Sequence, residues 1–193
     1  MSWNQGLLQY LKNPESNKLV LEHCNDWILI HDLFPKSKTH LLMIPTAPID
    51  NVWDLKQEHL PLLRMLQTKA DELASTYGVH GEGSKFIIGF HAIPSMRHLH
   101  LHLLSNDLTG HALKTKHHYL SFTTPFLIPI STVISDLEGH GKLNTTRDRL
   151  KVYLDGPIIC HICQKLLKNT PRLKEHLLVH ALPAKGIQSH PNK

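Results

Sequence analysis

The chain has 193 residues, 41% of them hydrophobic, and a formal net charge of +5. That length fills one good core, or one core with a small appended module. It contains no run of eighteen apolar residues, and its N-terminus lacks a basic stretch followed by an apolar block, so neither a transmembrane helix nor a secretory signal is expected.

Charge is unevenly spread. Residues 1–141 hold 11 Lys and Arg against 13 Asp and Glu, whereas residues 142–193 hold 10 against 3. A basic C-terminal quarter on a near-neutral body is either a polyanion-binding attachment or a solvated tail. The three cysteines, Cys24, Cys160 and Cys163, make no disulfide framework, which fits a reducing compartment, cytosol or nucleus.

In chain order, residues 3–12 are predicted as a short helix with Trp3, Leu7, Leu8 and Leu11 on one face. Leu19–Glu22 and Trp27–His31 read as a hairpin, and Thr39–Ile44 as a strand stopped by Pro45. Asp54–Tyr77 is the long helix: Leu55, His59, Leu62, Leu63, Leu66, Ala70, Leu73 and Ala74 recur at helical spacing, and Gly78 ends it. Residues 80–84 are a loop, Phe86–His91 a strand, Ala92–Met96 a tight connection and His98–Leu104 another strand. These elements make an α+β domain with a largely antiparallel sheet. Ser105–Phe122, polar and rich in Lys and His, reads as an ordered loop. Pro125–Ile130 is an apolar segment and Ser131–Glu138 a short helix. Gly139-His140-Gly141 marks a boundary, residues 142–154 form a helical connection, and the tail from Pro183 is expected to be disordered.

The strand His98-Leu99-His100-Leu101-His102-Leu103 carries the chemistry. Side chains alternate along an extended chain, so the three histidines are expected to share one face and the leucines the other. Imidazole exchanges protons and attacks phosphorus near neutral pH. Three imidazoles also suit a metal, but no carboxylate partner lies between Phe86 and Ser105.

Farther on, Cys160 and Cys163 are separated by two residues, twelve residues precede His176, and three separate it from His180. Two thiolates and two imidazoles at this spacing satisfy structural zinc as a closed four-ligand site. Leu167 and Leu173 give such a finger its small core. Asn169 or Thr170 caps its helix with Pro171 in the first turn, and His161 is read as a solvent-exposed turn residue. Lys165, Lys168, Arg172 and Lys174 are the candidate phosphate contacts, with a protein-binding finger as the alternative.

The run Gly89-Phe90-His91-Ala92-Ile93-Pro94-Ser95-Met96-Arg97-His98-Leu99-His100-Leu101-His102 resembles the signature of the aprataxin family within the histidine triad superfamily. The segments Asp32–Pro45, Leu113–Phe122 and Cys160–His180 are similar to the same family, so the resemblance covers about residues 3–181. It implies a histidine triad fold, an antiparallel sheet with flanking helices, over residues 1–138. A linker helix and two-Cys-two-His zinc finger are expected over 139–182 and a disordered tail over 183–193. The triad domain begins almost at Met1, as in the shorter fungal form that has no forkhead-associated domain.

The implied activity is removal of AMP from adenylated DNA 5′ ends, RNA–DNA junctions included, which restores a 5′-phosphate. His100 is the implied nucleophile, forming a covalent histidine–AMP intermediate. His98 and His102 donate hydrogen bonds to phosphate oxygens, and His91 lies near the leaving phosphate. Asp32 matches the ribose-binding position, or caps a turn. Phe34 and Met43 flank adenine, or belong to the core. Ser95 and Met96 lie in the tight connection at the nucleotide, where the Ser95 hydroxyl reaches phosphate. His40 is read as structural. Trp27, Thr46, Ala47, Pro48, Ile49 and Asp50 match DNA-contact positions, with the core as the alternative for Trp27. Lys36, Lys114, Lys116, His117 and His118 form a phosphate-tracking rim, in which His117 replaces an expected lysine and Lys116 substitutes for it. The implied cofactor is structural zinc with no catalytic metal. The implied partners are nicked or broken duplex DNA and no membrane, for a monomer in the nucleus and also the cytoplasm. A histidine triad hydrolase of adenosine phosphoramidates or dinucleoside polyphosphates, and a non-catalytic damaged-end binder, are the rival readings.

Overall fold

The computed structural model describes residues 6–78 and 86–181. Trp3, the loop at 80–84 and the tail from Pro183 lie outside the described residues. Strands β1 (Val20–His23), β2 (Trp27–His31), β3 (His40–Pro45), β4 (Phe86–His91), β5 (Leu101–Ser105) and β6 (Leu127–Pro129) form one sheet, ordered β1-β2-β3-β5-β4-β6. Every neighbouring pair is antiparallel.

Alternation sorts the strands onto two faces. Trp27, Leu29, Leu41, Met43, Leu101, Leu103 and Phe90 pack against helices α2 (Leu60–Gly78) and α4 (Ile130–His140). The opposite face carries Ile28, Ile30, Leu42 and Ile44, covered by Leu7 and Tyr10 of the N-terminal segment, whose described helix α1 is Leu8–Lys12. His40 alternates onto this second face, and His102 lies opposite Leu42. The imidazoles therefore stand on the side of the sheet away from α2 and α4.

Several predicted bounds move, each for a local reason. The long helix begins at Leu60 rather than Asp54, because Leu55 and Lys56 are extended. Pro61 is then its second residue, where a missing N–H costs nothing, whereas the predicted span would bury it in a helix interior. The histidine strand begins at Leu101 rather than His98. Continuing the β3–β5 register would pair Leu99 with Pro45, which has no N–H to offer. His98 instead turns through a left-handed conformation, φ 78°.

The predicted loop Ser105–Phe122 ends in a helix, α3 (Lys116–Thr123), whose start is capped by the Thr115 hydroxyl accepting from the His118 N–H. It buries Tyr119, Leu120 and Phe122. Gly139 and His140 belong to α4, and Gly141 closes it at φ 69°, its N–H donating to the Leu137 carbonyl. The expected helical connection is α5 (Arg147–Lys151) followed by a tight turn over Val152–Asp155.

The finger is β7 (Ile158–Ile159), β8 (Leu166–Leu167) and α6 (Thr170–Ala181). Its core residues Ile158, Cys160, Leu173 and Leu177 join Leu104, Leu113, Tyr119, Leu120 and Phe122 in one buried cluster. His161 is not a free turn residue. Its backbone N–H donates to the Tyr119 hydroxyl at 2.9 Å, its Nδ1 lies 2.9 Å from the same oxygen, and its Nε2 donates to the Asn106 carbonyl at 2.8 Å. The finger is thus latched to α3 and to the end of β5. No described helix is long and apolar enough to cross a membrane.

Candidate active site

β5 delivers His102, and the residue before the strand, His100, sits beside it with ring centroids 4.8 Å apart. β4 delivers His91, whose ring is 4.4 Å from that of His102, and β3 delivers His40 at 5.3 Å. Phe122 of α3 closes the group, within 5.4 Å of the rings of His40, His91 and His102. Sequence reading missed Phe122, although Tyr119 and Phe122 at i, i+3 behind the Thr115 cap carried the signal.

The hydrogen bonds fix the tautomers. His100 Nδ1 is 2.8 Å from the His98 carbonyl oxygen and can only donate to it, so Nε2 keeps its lone pair. His40 Nδ1 accepts from the Lys36 N–H at 3.2 Å, so His40 Nε2 bears the proton, shared between His102 Nδ1 at 3.1 Å and Asp32 Oδ2 at 3.4 Å. His102 Nδ1 is therefore an acceptor, and His102 Nε2–H is a free donor. Asp32, His40 and His102 bring three ligand atoms within 4.8 Å of one another. A metal there would displace the His40 Nε2 proton while Nδ1 still faces an N–H donor, a poor state for a neutral ligand. The trio is a hydrogen-bond relay.

Burial lowers the proton affinity of the whole group. Loss of hydration pushes His40 down to about 4, against the opposing pull of the Asp32 carboxylate, and pushes His91 to about 3, where the neighbouring His100, His40 and Lys36 lower it further. Desolvation also lowers His98 and His100, and His102 goes well below the ordinary histidine value. The imidazoles are neutral at neutral pH, as nucleophilic chemistry requires.

This carries a stability consequence. Above about pH 6.5 the folded and unfolded chains both hold these rings neutral. As pH falls toward 4, the unfolded chain takes up protons that the folded rings refuse, so folding stability is lost. The unfolding free energy should fall steadily between about pH 6.5 and 4, by on the order of a few kcal/mol, whereas a flat profile in denaturant titrations would show the rings free to protonate in place.

The other expected site residues divide. Asp32 takes the turn-capping role, Oδ1 accepting from the Phe34 N–H at 2.7 Å, while Oδ2 lies 3.4 Å from His40 Nε2. Phe34 is 64% exposed and available to a ligand. Met43 is fully buried on the face packed against α2 and α4, opposite His40, so it is a core residue and not an adenine contact. Trp27 is buried on that same face, with Lys69 of α2 over its ring, and Ile49 is buried too; both are core residues rather than DNA contacts.

The His98 ring donates to the Pro45 carbonyl at 2.6 Å, which commits its Nε2 to holding the end of β3 rather than a phosphate. Ser95 is exposed, and Met96 packs against the cluster of Ile28 and Ile30. Thr46, Ala47 and Pro48 follow β3, with the Thr46 hydroxyl on the Asn25 carbonyl, and Asp50 is ion-paired with Arg97. Lys36 donates to the Phe34 carbonyl, and Lys114 is exposed. Lys116 Nζ donates to the Asp155 carbonyl at 2.9 Å, in the segment before the finger. His117 is exposed, 3.9 Å from the Asp155 carboxylate.

The loop holding Asp32, Phe34 and Lys36 is braced from behind. Gly110 donates to the Lys36 carbonyl at 2.9 Å, and an added Cβ there would meet Pro35 O and Lys36 C at 2.4 Å. The Asp107 carboxylate accepts from Lys38 N–H, the Ser105 hydroxyl and Thr109, which holds it below the usual carboxylate range despite burial.

In the finger, Cys160, Cys163, His176 and His180 place their ligand atoms within 4.8 Å of one another. The separations of 3.6, 3.1 and 3.1 Å between Cys160 and His180, Cys163 and His176, and the two imidazoles are the edges of a tetrahedron built on Zn–S and Zn–N bonds. The donor set fits zinc. Asn169 is the helix cap, its side chain accepting from the Arg172 N–H. Lys165, Lys168 and Arg172 are exposed, Lys174 is half-buried, and Arg172 pairs with Glu175.

Comparison with known proteins agrees with this construction. Residues 4–118 match the family described as "Scavenger mRNA decapping enzyme C-term binding", and residues 123–182 match the "C2HE / C2H2 / C2HC zinc-binding finger". An aprataxin-like protein of Drosophila melanogaster is 35% identical over 97% of this chain, which spans 28% of that protein's length. An aprataxin-like protein of Schizosaccharomyces pombe is 34% identical over 75% of this chain and 69% of its own. The crystal structure of the aprataxin ortholog Hnt3 in complex with DNA superposes with a TM-score of 0.79 at 30% identity, covering 93% of this chain and 94% of that one. With its histidine triad fold and its zinc finger, the chain belongs to the aprataxin family.

Proposed function

We propose that the protein is a hydrolase that removes AMP from adenylated DNA 5′ ends, at nicks, breaks and RNA–DNA junctions. The observation that carries this is the state of His100, a neutral buried imidazole whose Nδ1–H is spent on the His98 carbonyl and whose Nε2 lone pair is free. In the first step Nε2 bonds to the α-phosphorus, and the bond from phosphorus to the bridging oxygen breaks. The electron pair leaves with the DNA 5′-phosphate. Water then forms the new P–O bond, the P–N bond breaks and AMP is released. Covalent catalysis of this kind replaces one hard displacement with two easier ones. The His102 Nε2–H donor supplies charge stabilisation, and Asp32 and Phe34 lie where ribose and base are expected.

The relay of Asp32, His40 and His102 supports a reaction at the histidines that needs no metal there, zinc serving only the finger. DNA as the partner is supported by the finger latched beside the site, by its exposed lysines, and by relatives solved with DNA and with DNA and guanosine. A single chain holds both parts, which favours a monomer, and a DNA substrate supports a nuclear address, with the cytoplasm as a second.

A 5′-adenylated nicked duplex and a free adenosine phosphoramidate discriminate the readings. AMP release from the nick should exceed small-substrate turnover by at least about a hundredfold in kcat/KM, and should decline steeply with added salt. Equal kcat/KM values with no salt dependence would assign the protein to small nucleotides.

A further inference from the structure

Arg97 is the only Lys, Arg, Asp or Glu between Phe86 and Ser105, and it stands exposed one residue before His98. Its stretch of backbone is laced to the segment that follows β3. The His98 ring donates to the Pro45 carbonyl at 2.6 Å, and the Leu99 N–H donates to the Ile49 carbonyl at 2.8 Å. The Arg97 guanidinium then reaches the Asp50 carboxylate. The next residue, Asn51, lines a small cavity with Pro94, His91 and His100, so the segment runs beside the nucleophile.

A second arginine meets the same segment. Asn51 Nδ2 donates to Asp54 Oδ2 at 2.6 Å, which turns its Oδ1 toward the Arg147 guanidinium at 3.2 Å. That guanidinium also lies over the Trp53 ring, 5.7 Å from its centroid. Trp53 is itself fixed, its Nε1–H donating to the Ala92 carbonyl at 2.6 Å. Two exposed guanidinium groups thus rest on consecutive residues, Asp50 and Asn51.

These partners leave both arginines under-used. An exposed ion pair such as that of Arg97 with Asp50 is weak, because water screens it. Arg147 meets an amide oxygen and a ring face, and is ion-paired with no carboxylate among the described residues. Guanidinium presents a planar fork of N–H donors that matches two phosphate oxygens. A phosphodiester offers a full charge and two such oxygens, more than either present partner gives.

We propose that Arg97 and Arg147 grip the phosphodiester backbone of the DNA beside the reacting 5′ end. Asp50, Asn51 and Trp53 are positioning residues that hold the two guanidinium groups until DNA arrives. This rests on the DNA-directed reading above. Arg97 exchanges the Asp50 carboxylate for a phosphate, and Arg147 adds a phosphate to its amide and ring contacts. The pair selects a polymer: an adenosine phosphoramidate places its one phosphorus at His100 and has no second phosphate for the arginines. Such contacts set where the strand lies and carry no base sequence.

Binding of a nicked duplex without adenylate, titrated across a range of salt, tests this apart from chemistry. Each phosphate contact contributes about one unit to the slope of log affinity on log salt. Arg97→Gln and Arg147→Gln should each reduce that slope by about one unit and weaken binding about fivefold or more at about 0.1 M salt, whereas Arg97→Lys keeps the charge and should keep the slope. The kcat/KM for an adenylated nick, relative to that for a phosphoramidate, should fall about fivefold or more, through KM, while single-turnover AMP release from saturating nick stays within about threefold. Asp50→Asn removes the competing charge and should tighten binding at least about twofold. Unchanged salt slopes in the glutamine variants overturn the proposal. So does an equal fall for the phosphoramidate, which would put the arginines on the reacting phosphate. No gain in affinity for Asp50→Asn overturns it too, by making the ion pair a structural brace. Wild type that binds nicked DNA without salt dependence fails the DNA-directed reading itself, an outcome distinct from a salt-dependent wild type whose slope the variants leave unchanged.

Discussion

His100→Ala is expected to abolish AMP release from an adenylated nick, by at least about a thousandfold in kcat, while leaving affinity for the nick within a few-fold of wild type. The imidazole has a free Nε2 lone pair, and its ring is held in place by Nδ1 donating to the His98 carbonyl. Removing it leaves that buried carbonyl without its partner and opens a small cavity, so a modest loss of stability, about 1–3 kcal/mol, should accompany the loss of rate. Under the proposed function, the exposed lysines of the finger and the Asp32 loop bind independently of the ring. Single-turnover AMP release and a DNA-binding titration on the same preparation check both halves. Rapid AMP release by His100→Ala would reassign the nucleophile.

Loss of zinc is expected to damage more than DNA binding. Cys160→Ala removes one ligand of a closed four-ligand site, and such sites contribute roughly 10–16 kcal/mol in isolated fingers. Here Cys160 is fully buried against Leu173 and Leu177 on one side and the Tyr119–Phe122 helix on the other. Unfolding the finger therefore uncovers Tyr119, breaks the His161 bridge to Asn106 and loosens Phe122, which closes the histidine cluster. The variant should lose its zinc, melt about 10 °C lower or more, and turn over a small adenosine phosphoramidate at least about tenfold more slowly. Lys165→Ala with Lys168→Ala should weaken only the nick, because those side chains are exposed. Unchanged small-substrate turnover in zinc-free Cys160→Ala would show the triad domain to stand without the finger.

Much of this was legible in the sequence. The strands and the zinc ligands rest on spacing alone, and spacing is what β-alternation and tetrahedral coordination impose. The remainder depends on contacts distant in the chain. Met43 and Trp27 lie in segments that match the family, but which face they take is set by the pairing of β2 with β3. His98 has the right period for the strand and is excluded from it by Pro45, fifty-three residues earlier. Composition made residues 105–122 read as loop, because Lys and His mask an amphipathic turn whose buried side is Tyr119, Leu120 and Phe122. The carboxylate missing near the histidines is supplied by Asp32 through His40, a relay no local pattern reveals.

The bridge from His161 to Tyr119 and Asn106 bears on how such a protein tolerates shuffling of its parts. A borrowed finger with the same four metal ligands but another residue after its first cysteine would bind its ion and still not seat, because the latch is written into both halves. A chimera would therefore need Tyr119 and His161 carried across together.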